Sequence, residues 1–450
     1  MAADNIYKLL EQLNDNISDI RKYSGYHPGE TTNPVAKFIR RVRAKLSGQV
    51  QYDQAVERAI MDIYNIEARL HQYTVSMFES FNDANYHKIC DEKGPRIIQL
   101  VSTVNYGDAV GNDVIAIQNA LREAGYTTAI FAETIHPKIP SGTVFSIEIL
   151  PALREDDVIL YHFAAEDHFE ELIKKAPCKV VLRYHNVTPP HFFDGYDAKA
   201  KLNTERGLAE IKALKDDIDY GIVVSEFNRD DLISYGYKCP IDVAPILVQF
   251  DDYRQTPNQK VIKKYKDGKH NILFVGRMAP NKKVEDVISS FAEYKKTYDR
   301  DAKLFLVGSF QETDKYYNEL LRHIDKLGVE DVIFPGHIGF DEILAYYSIA
   351  DLFLCMSEHE GFCVPLVEAM FFDVPIVAYN SCAVPNTLGG SGCLVMEKNY
   401  PEIAYKMHEI ISNESTNNSV IELQKKRLQD FDNYRISKYI IDFLNKIIKE

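Results

Sequence analysis

Leu354-Cys355-Met356-Ser357-Glu358-His359-Glu360-Gly361-Phe362-Cys363-Val364-Pro365-Leu366-Val367-Glu368-Ala369-Met370 is the stretch from which the fold of this chain is read. The apolar run 352–356 reads as a buried parallel strand. A turn carrying Ser357, Glu358, His359, Glu360 and Gly361 follows it. Pro365 suits the first turn of a helix, expected over 366–371. Glu360 and Glu368 stand eight positions apart, one on the strand-to-helix loop and the other near the start of the helix. Loops at the carboxyl ends of parallel strands are where ligands bind in open α/β sheets. The amides of Gly361, Phe362 and Cys363 are expected to point at an anion there, helped by the helix dipole. An ordinary strand–turn–helix with two solvated glutamates is the plainer alternative.

Outward from this stretch, strands and helices alternate from Pro95 onward. Buried strands are expected over 96–101, 127–131, 158–163, 179–184, 221–225 and 241–246, and a helix over 112–124 closed by Gly125. A polar segment, 250–269, reads as a linker. A second series follows, with strands over 272–275, 304–307, 332–334, 352–356, 376–378 and 393–395. This order is that of parallel, doubly wound sheets. It predicts an α/β protein of two Rossmann-like domains, 93–250 and 255–434, facing a cleft. A terminal helix is expected over 436–448, in the segment 435–450.

Residues 1–92 differ, with almost no strand-like runs. Ile6, Leu9, Leu10, Leu13, Ile17 and Ile20 have helical spacing, as do Val56, Ile60, Ile63, Ile66, Leu70, Tyr73, Met77 and Phe81. Such stripes need a partner, and helix–helix packing, across a homo-oligomer for instance, is the favoured expectation for this helical extension. Lys37, Arg40, Arg41, Arg43 and Lys45 form a basic cluster. It is either a solvated helix face or a peripheral contact with anionic lipid. The net charge of −14 argues against general nucleic-acid binding. No stretch approaches the roughly 18 apolar residues that span a bilayer. The first residues lack the basic and apolar regions of a signal peptide, so a cytoplasmic location is expected. The seven cysteines contain no C-x-x-C pair and read as reduced thiols, with neither disulfides nor zinc.

Three further stretches carry candidate chemistry. Phe274-Val275-Gly276-Arg277-Met278-Ala279-Pro280-Asn281-Lys282-Lys283 places Arg277 and Lys282 between a strand and a helix starting near Val284. Basic charge at a helix start opposes the dipole, which favours a functional reason over a surface loop. Tyr106-Gly107-Asp108-Ala109-Val110-Gly111-Asn112-Asp113 follows the first strand and opens a helix. Its glycines allow close backbone approach to a ligand. Arg183-Tyr184-His185-Asn186-Val187 ends another strand, as does His162 in Tyr161-His162-Phe163. Ser225 is a good N-cap for a further helix.

Glu360-x7-Glu368, with Gly276-Arg277 and Lys282, resembles the group 1, or family 4, retaining glycosyltransferases of the GT-B fold. The resemblance covers roughly residues 96–445. It implies transfer of a hexose from a GDP- or UDP-linked sugar to a hydroxyl of a glycan or lipid-linked acceptor, in bacterial surface-polysaccharide assembly. It assigns Arg277 and Lys282 to the leaving diphosphate, Glu360 to the sugar hydroxyls, Glu368 to the ribose, and His185 to the donor sugar near the reaction centre. Gly107, Gly111, Gly276, Gly361, Phe362 and Cys363 are implied to line the donor site. Two cations in place of a divalent metal imply that neither metal nor cofactor is needed. Asp373 stands where the family has a glycine, and Ala383-Val384-Pro385-Asn386 replaces its Gly-Gly-x-Pro-Glu, which leaves the donor sugar open. A dehydrogenase is disfavoured because Gly-x-Gly-x-x-Gly is absent. A GT-B epimerase or phosphorylase, or a non-catalytic relative scaffolded by the N-terminal helices, is the alternative.

Overall fold

The computed structural model describes residues 83–336 and 338–449. Its strands are β1 Arg96–Val104, β2 Thr127–Ile135, β3 Val144–Ser146, β4 Val158–Phe163, β5 Lys179–Tyr184, β6 Tyr220–Val223, β7 Ile241–Val243, β8 Asn271–Val275, β9 Lys303–Val307, β10 Val332–Gly336, β11 Leu352–Cys355, β12 Ile376–Tyr379 and β13 Cys393–Val395. The chain gathers into two compact units. The described residues of the smaller are 83–93, Thr103–Asn105 and Ala129–Ala152, and the larger holds the rest. In the smaller unit Asp83 caps the helix Ala84–Asp91, β2 pairs with β3, and Tyr86 donates to the Ile149 carbonyl at 2.7 Å.

Within the larger unit, β1, β4, β5, β6 and β7 pair in parallel in that order. A second parallel sheet runs β10-β9-β8-β11-β12-β13. All of β4, β9 and β11 is buried. Parallel strands covered by helices on both faces must be apolar throughout, which is why these segments read as unbroken hydrophobic runs. The second sheet changes direction between β8 and β11, the point where ligands bind in such sheets. Both segments quoted for their charge, 276–283 and 356–363, leave the sheet there.

Side chains alternate across a strand. One face of the first sheet carries Ile97, Val158, Leu160 and Val181, which meet Ala116, Ile117 and Leu121 of the helix Ala109–Glu123. Ile436, Ile440, Leu444 and Ile447 join the same cluster. They are the apolar stripe of the last helix, Asn433–Lys449, which therefore returns onto the first sheet. Asn433 fixes its start by donating to the Val248 carbonyl at 2.6 Å.

Several expectations are corrected. Segment 250–269 holds a helix, Gln259–Tyr265, and a short turn, Asp252–Arg254; Tyr253 and Val261 pack into the second domain's core beside Leu273 and Phe305. Polar residues on its outer side hid these two anchors. The helix expected from Asn112 begins at Ala109, because Asp108 accepts from the Gly111 amide and caps it. Strand β3 escaped notice because three residues carry no readable period. Cys178, Cys239, Cys355, Cys363, Cys382 and Cys393 are free thiols. Of the N-terminal extension, 1–92, the helix Ala84–Asp91 is described; the two apolar stripes and the basic cluster at 37–45 lie outside the described residues. Among the described residues, no helix is long and apolar enough to cross a membrane.

Candidate functional site

A cavity of about 160 Å³ is lined by His185, Asn186, Arg277, Asn281, Lys282, His359, Glu360 and Gly361, among others. Three strands deliver these residues: β5 ends one before His185, β8 two before Arg277, and β11 five before Glu360. Arg277 and Ala279 also line a larger neighbouring cavity of about 670 Å³, with Tyr196, Phe310 and Tyr316. That volume suits a ligand of drug size or more.

The charges are arranged unequally. Lys282 Nζ donates to both carboxylate oxygens of Glu360 at 2.7 Å. Burial works against the Lys282 ammonium, but the Glu360 carboxylate and nearby Cys363 outweigh it and raise its pKa above the usual value. An ammonium has three donors, so one N–H remains for a ligand. Arg277 is exposed and makes no ion pair among the described residues. His359 is held down to about 4, chiefly by burial, and is therefore neutral. The loops are stitched together by Asn281, which donates to the His359 carbonyl at 3.1 Å and accepts from the Glu358 amide.

The cleft between the two Rossmann-like domains is narrow at Gly361. Ser225 caps the helix Glu226–Ser234 and donates to the Gly361 carbonyl at 2.7 Å. A Cβ on Gly361 would lie 2.4 Å from the His185 carbonyl oxygen and 2.7 Å from Asn186 Cβ, so only glycine fits. A similar approach at the Arg277 loop went unnoticed in the sequence: a Cβ on Gly308 would lie 1.9 Å from the Gly276 carbonyl oxygen. Asn186, Lys283 and Cys363 adopt left-handed backbone at φ 86, 49 and 73. Such non-glycine residues cluster at functional sites.

The remaining candidates separate. Glu368 lies on the helix Val364–Phe371, outside the lining of the small cavity, and accepts from Tyr253 at 2.8 Å and Tyr347 at 2.6 Å. Burial raises its pKa against those two hydrogen bonds. Two lone-pair positions of the carboxylate assigned to the ribose are thus taken by tyrosines. Phe362 and Cys363 turn their side chains into the core of the second domain. Gly111 is part of a helix rather than a loop, and Gly107, before that helix, has open space where a Cβ would stand. Neither lines the small cavity, nor does Gly276. Sequence reasoning missed Asn186, Asn281 and His359, whose signal was only their adjacency to His185, Lys282 and Glu360.

Among the described residues, two groups have metal-ligating side chains within 4.8 Å of one another: Asp113, His162 and His185, and Cys355, Glu360 and Cys363. In the first, the Asp113 carboxylate is taken by Arg183 at 2.9 Å and the Leu247 amide at 2.8 Å. In the second, Glu360 is taken by Lys282. Each carboxylate already has its countercharge.

Two doubly wound domains with paired cations and carboxylates at their facing strand ends define a GT-B architecture. Residues 255–427 match the family model described as glycosyl transferases group 1. The chain is 26% identical over 208 residues to the alpha-monoglucosyldiacylglycerol synthase of Streptococcus pneumoniae, covering 44% of each chain. It is 24% identical over 310 residues to the GDP-mannose-dependent alpha-(1-6)-phosphatidylinositol monomannoside mannosyltransferase of Mycobacterium tuberculosis, covering 66% of this chain and 77% of that one. The first match thus spans less than half of the pneumococcal enzyme. Among solved structures, sucrose-phosphate synthase from Thermosynechococcus elongatus superposes with a TM-score of 0.63 at 16% identity, covering 79% of this chain and 100% of that one.

Proposed function

We propose that this chain moves a hexose, with retention of anomeric configuration and without a metal, from a GDP- or UDP-linked sugar to a hydroxyl of a lipid-linked or glycan acceptor. The observation that carries this reading is the convergence of Arg277, Lys282, Glu360 and His185 on one cavity at the strand ends. Negative charge grows on the leaving diphosphate in the transition state. The exposed guanidinium of Arg277 and the remaining N–H of Lys282 would meet it, and preorganised charge of this kind is commonly the largest catalytic contribution. Glu360 holds Lys282 in place and offers its other lone pairs to sugar hydroxyls. Glu368, oriented by Tyr253 and Tyr347, keeps two lone-pair positions for ribose. No side chain stands out as a covalent nucleophile, so substitution from the leaving-group side fits, with the departing phosphate oxygen taking the acceptor's proton. The names of the pneumococcal and mycobacterial relatives support a lipid-linked acceptor. Work at the inner face of a membrane, in surface-polymer assembly, follows from such an acceptor.

Calorimetry with a panel of GDP- and UDP-sugars should give one saturable donor, with turnover unchanged by EDTA and a product of the donor's anomeric configuration by NMR. Inversion of configuration, or activity only with added magnesium or manganese, would overturn the retaining, two-cation account.

A further inference from the structure

His185 is one end of a buried chain of hydrogen bonds that reaches the centre of the first sheet. Its Nε2 lies 3.2 Å from Nδ1 of His162, and Nε2 of His162 lies 3.0 Å from Oε1 of Gln99. Gln99 and His162 are almost wholly buried, and His185 nearly so. The three sit on β1, β4 and just beyond β5, on the sheet face that the helix Ala109–Glu123 covers. Nδ1 of His185, a residue lining the small cavity, and Nε2 of Gln99 are both buried and have no hydrogen-bond partner among the described residues.

Neutral imidazole carries one proton, so such a chain can run in two directions. If His185 is protonated on Nε2, it donates to His162, which donates to the Gln99 carbonyl oxygen. If the chain runs the other way, the Gln99 amide donates to His162, His162 donates to Nε2 of His185, and the His185 proton sits on Nδ1. The Asp113 carboxylate decides between them. Its Oδ2 is 3.8 Å from Nε2 of His185, and its position is fixed by Arg183 and the Leu247 amide. A carboxylate there favours a proton on Nε2 and opposes a lone pair. Burial holds both imidazoles well below their ordinary pKa, so neither carries a second proton at neutral pH.

We infer that Gln99, His162 and Asp113 are positioning residues that lock His185 in the Nε2–H tautomer, leaving Nδ1 as a hydrogen-bond acceptor for a substrate hydroxyl. An acceptor-only nitrogen selects a hydroxyl and rejects a phosphate or carboxylate oxygen, which brings no hydrogen. The hydroxyl belongs to the transferred sugar or to the acceptor, and this part of the inference rests on the proposed donor site.

The test uses the full chain labelled with 15N-histidine, in which long-range 1H–15N correlation reports the protonated nitrogen without any substrate. Wild type should show His185 protonated on Nε2. Gln99→Leu should introduce the Nδ1–H form and lower kcat/KM about tenfold, the loss of one net hydrogen bond. Gln99→Glu, whose carboxylate still accepts from His162, should restore both. If donor hydrolysis in the absence of acceptor falls equally, the hydroxyl is on the sugar; if only transfer falls, it is on the acceptor. A wild-type proton on Nδ1, or a folded Gln99→Leu protein with unchanged tautomer and turnover, would overturn the inference. Failure of the donor assignment alone would leave the tautomer result standing.

Discussion

Arg277 and Lys282 were expected to act alike, yet the structure gives them different neighbours. Arg277 is exposed and without an ion pair among the described residues, whereas Lys282 neutralises Glu360, which is 7% exposed. Substitution should therefore separate catalysis from stability. Arg277→Ala is expected to lower kcat about a hundredfold or more while leaving the unfolding midpoint unchanged. Lys282→Ala is expected to lower kcat and also stability, by about 3–5 kcal/mol, because it strands a buried carboxylate. Urea titration beside steady-state kinetics checks both, and equal midpoints for the two variants would contradict this division. The same contrast shows what a sequence hides. The positions of Arg277, Lys282, Glu360 and His185 at strand ends were readable, and their roles came from the family resemblance. That Lys282 pairs with Glu360, and that Tyr253 and Tyr347 hold Glu368, was not. Those partners stand 78, 115 and 21 positions away, where no local pattern reaches.

At the scale of elements, the loop 356–363 between β11 and its helix does two jobs. It carries Glu360 into the cavity, and through Gly361 it touches the first domain at His185, Asn186 and Ser225. The groups a Cβ at 361 would strike are a backbone carbonyl and a Cβ, neither of which can swing aside. Gly361→Ala should hold the two domains apart while sparing each domain's own core. The expected outcome is a fall in kcat of about a hundredfold, since misplacement by 1 Å can cost that much. Small-angle scattering should report an increased radius of gyration. An active, equally compact variant would show that the contact is dispensable. Strand and helix order was legible here because parallel buried strands announce themselves as apolar runs. Lengths were less so: β1 and β2 continue past the apolar runs to Val104 and Ile135, and the helix Gln259–Tyr265 was hidden by its lysines. In such cases burial of a few anchors such as Tyr253 and Val261 outweighs average polarity.

At the scale of the whole molecule, the buried titratable groups set a pH dependence that no single motif foretells. His162, His185 and His359 are neutral in the fold, with pKa values below the ordinary 6.5 because burial disfavours their charge. The unfolded chain binds these protons first as pH falls, so their contribution is complete above pH 6.5 and is lost below it. Glu210 works in the opposite sense. Burial and its hydrogen bond with Asp167 push its carboxyl up to about 9 from 4.5. It is therefore already protonated in the folded protein across this range, and its contribution improves as pH falls toward 4.5. The three imidazoles and the Glu210 carboxyl thus act in opposite senses between pH 7 and 5.5, the histidines lowering stability and Glu210 raising it as pH falls. Glu210→Gln removes the opposing contribution and keeps a neutral side chain of similar shape. The variant should then lose more stability than wild type as pH falls over the same interval. Urea unfolding of both proteins at the two pH values measures this directly, and parallel losses in wild type and variant would show that Glu210 is ionised in the fold.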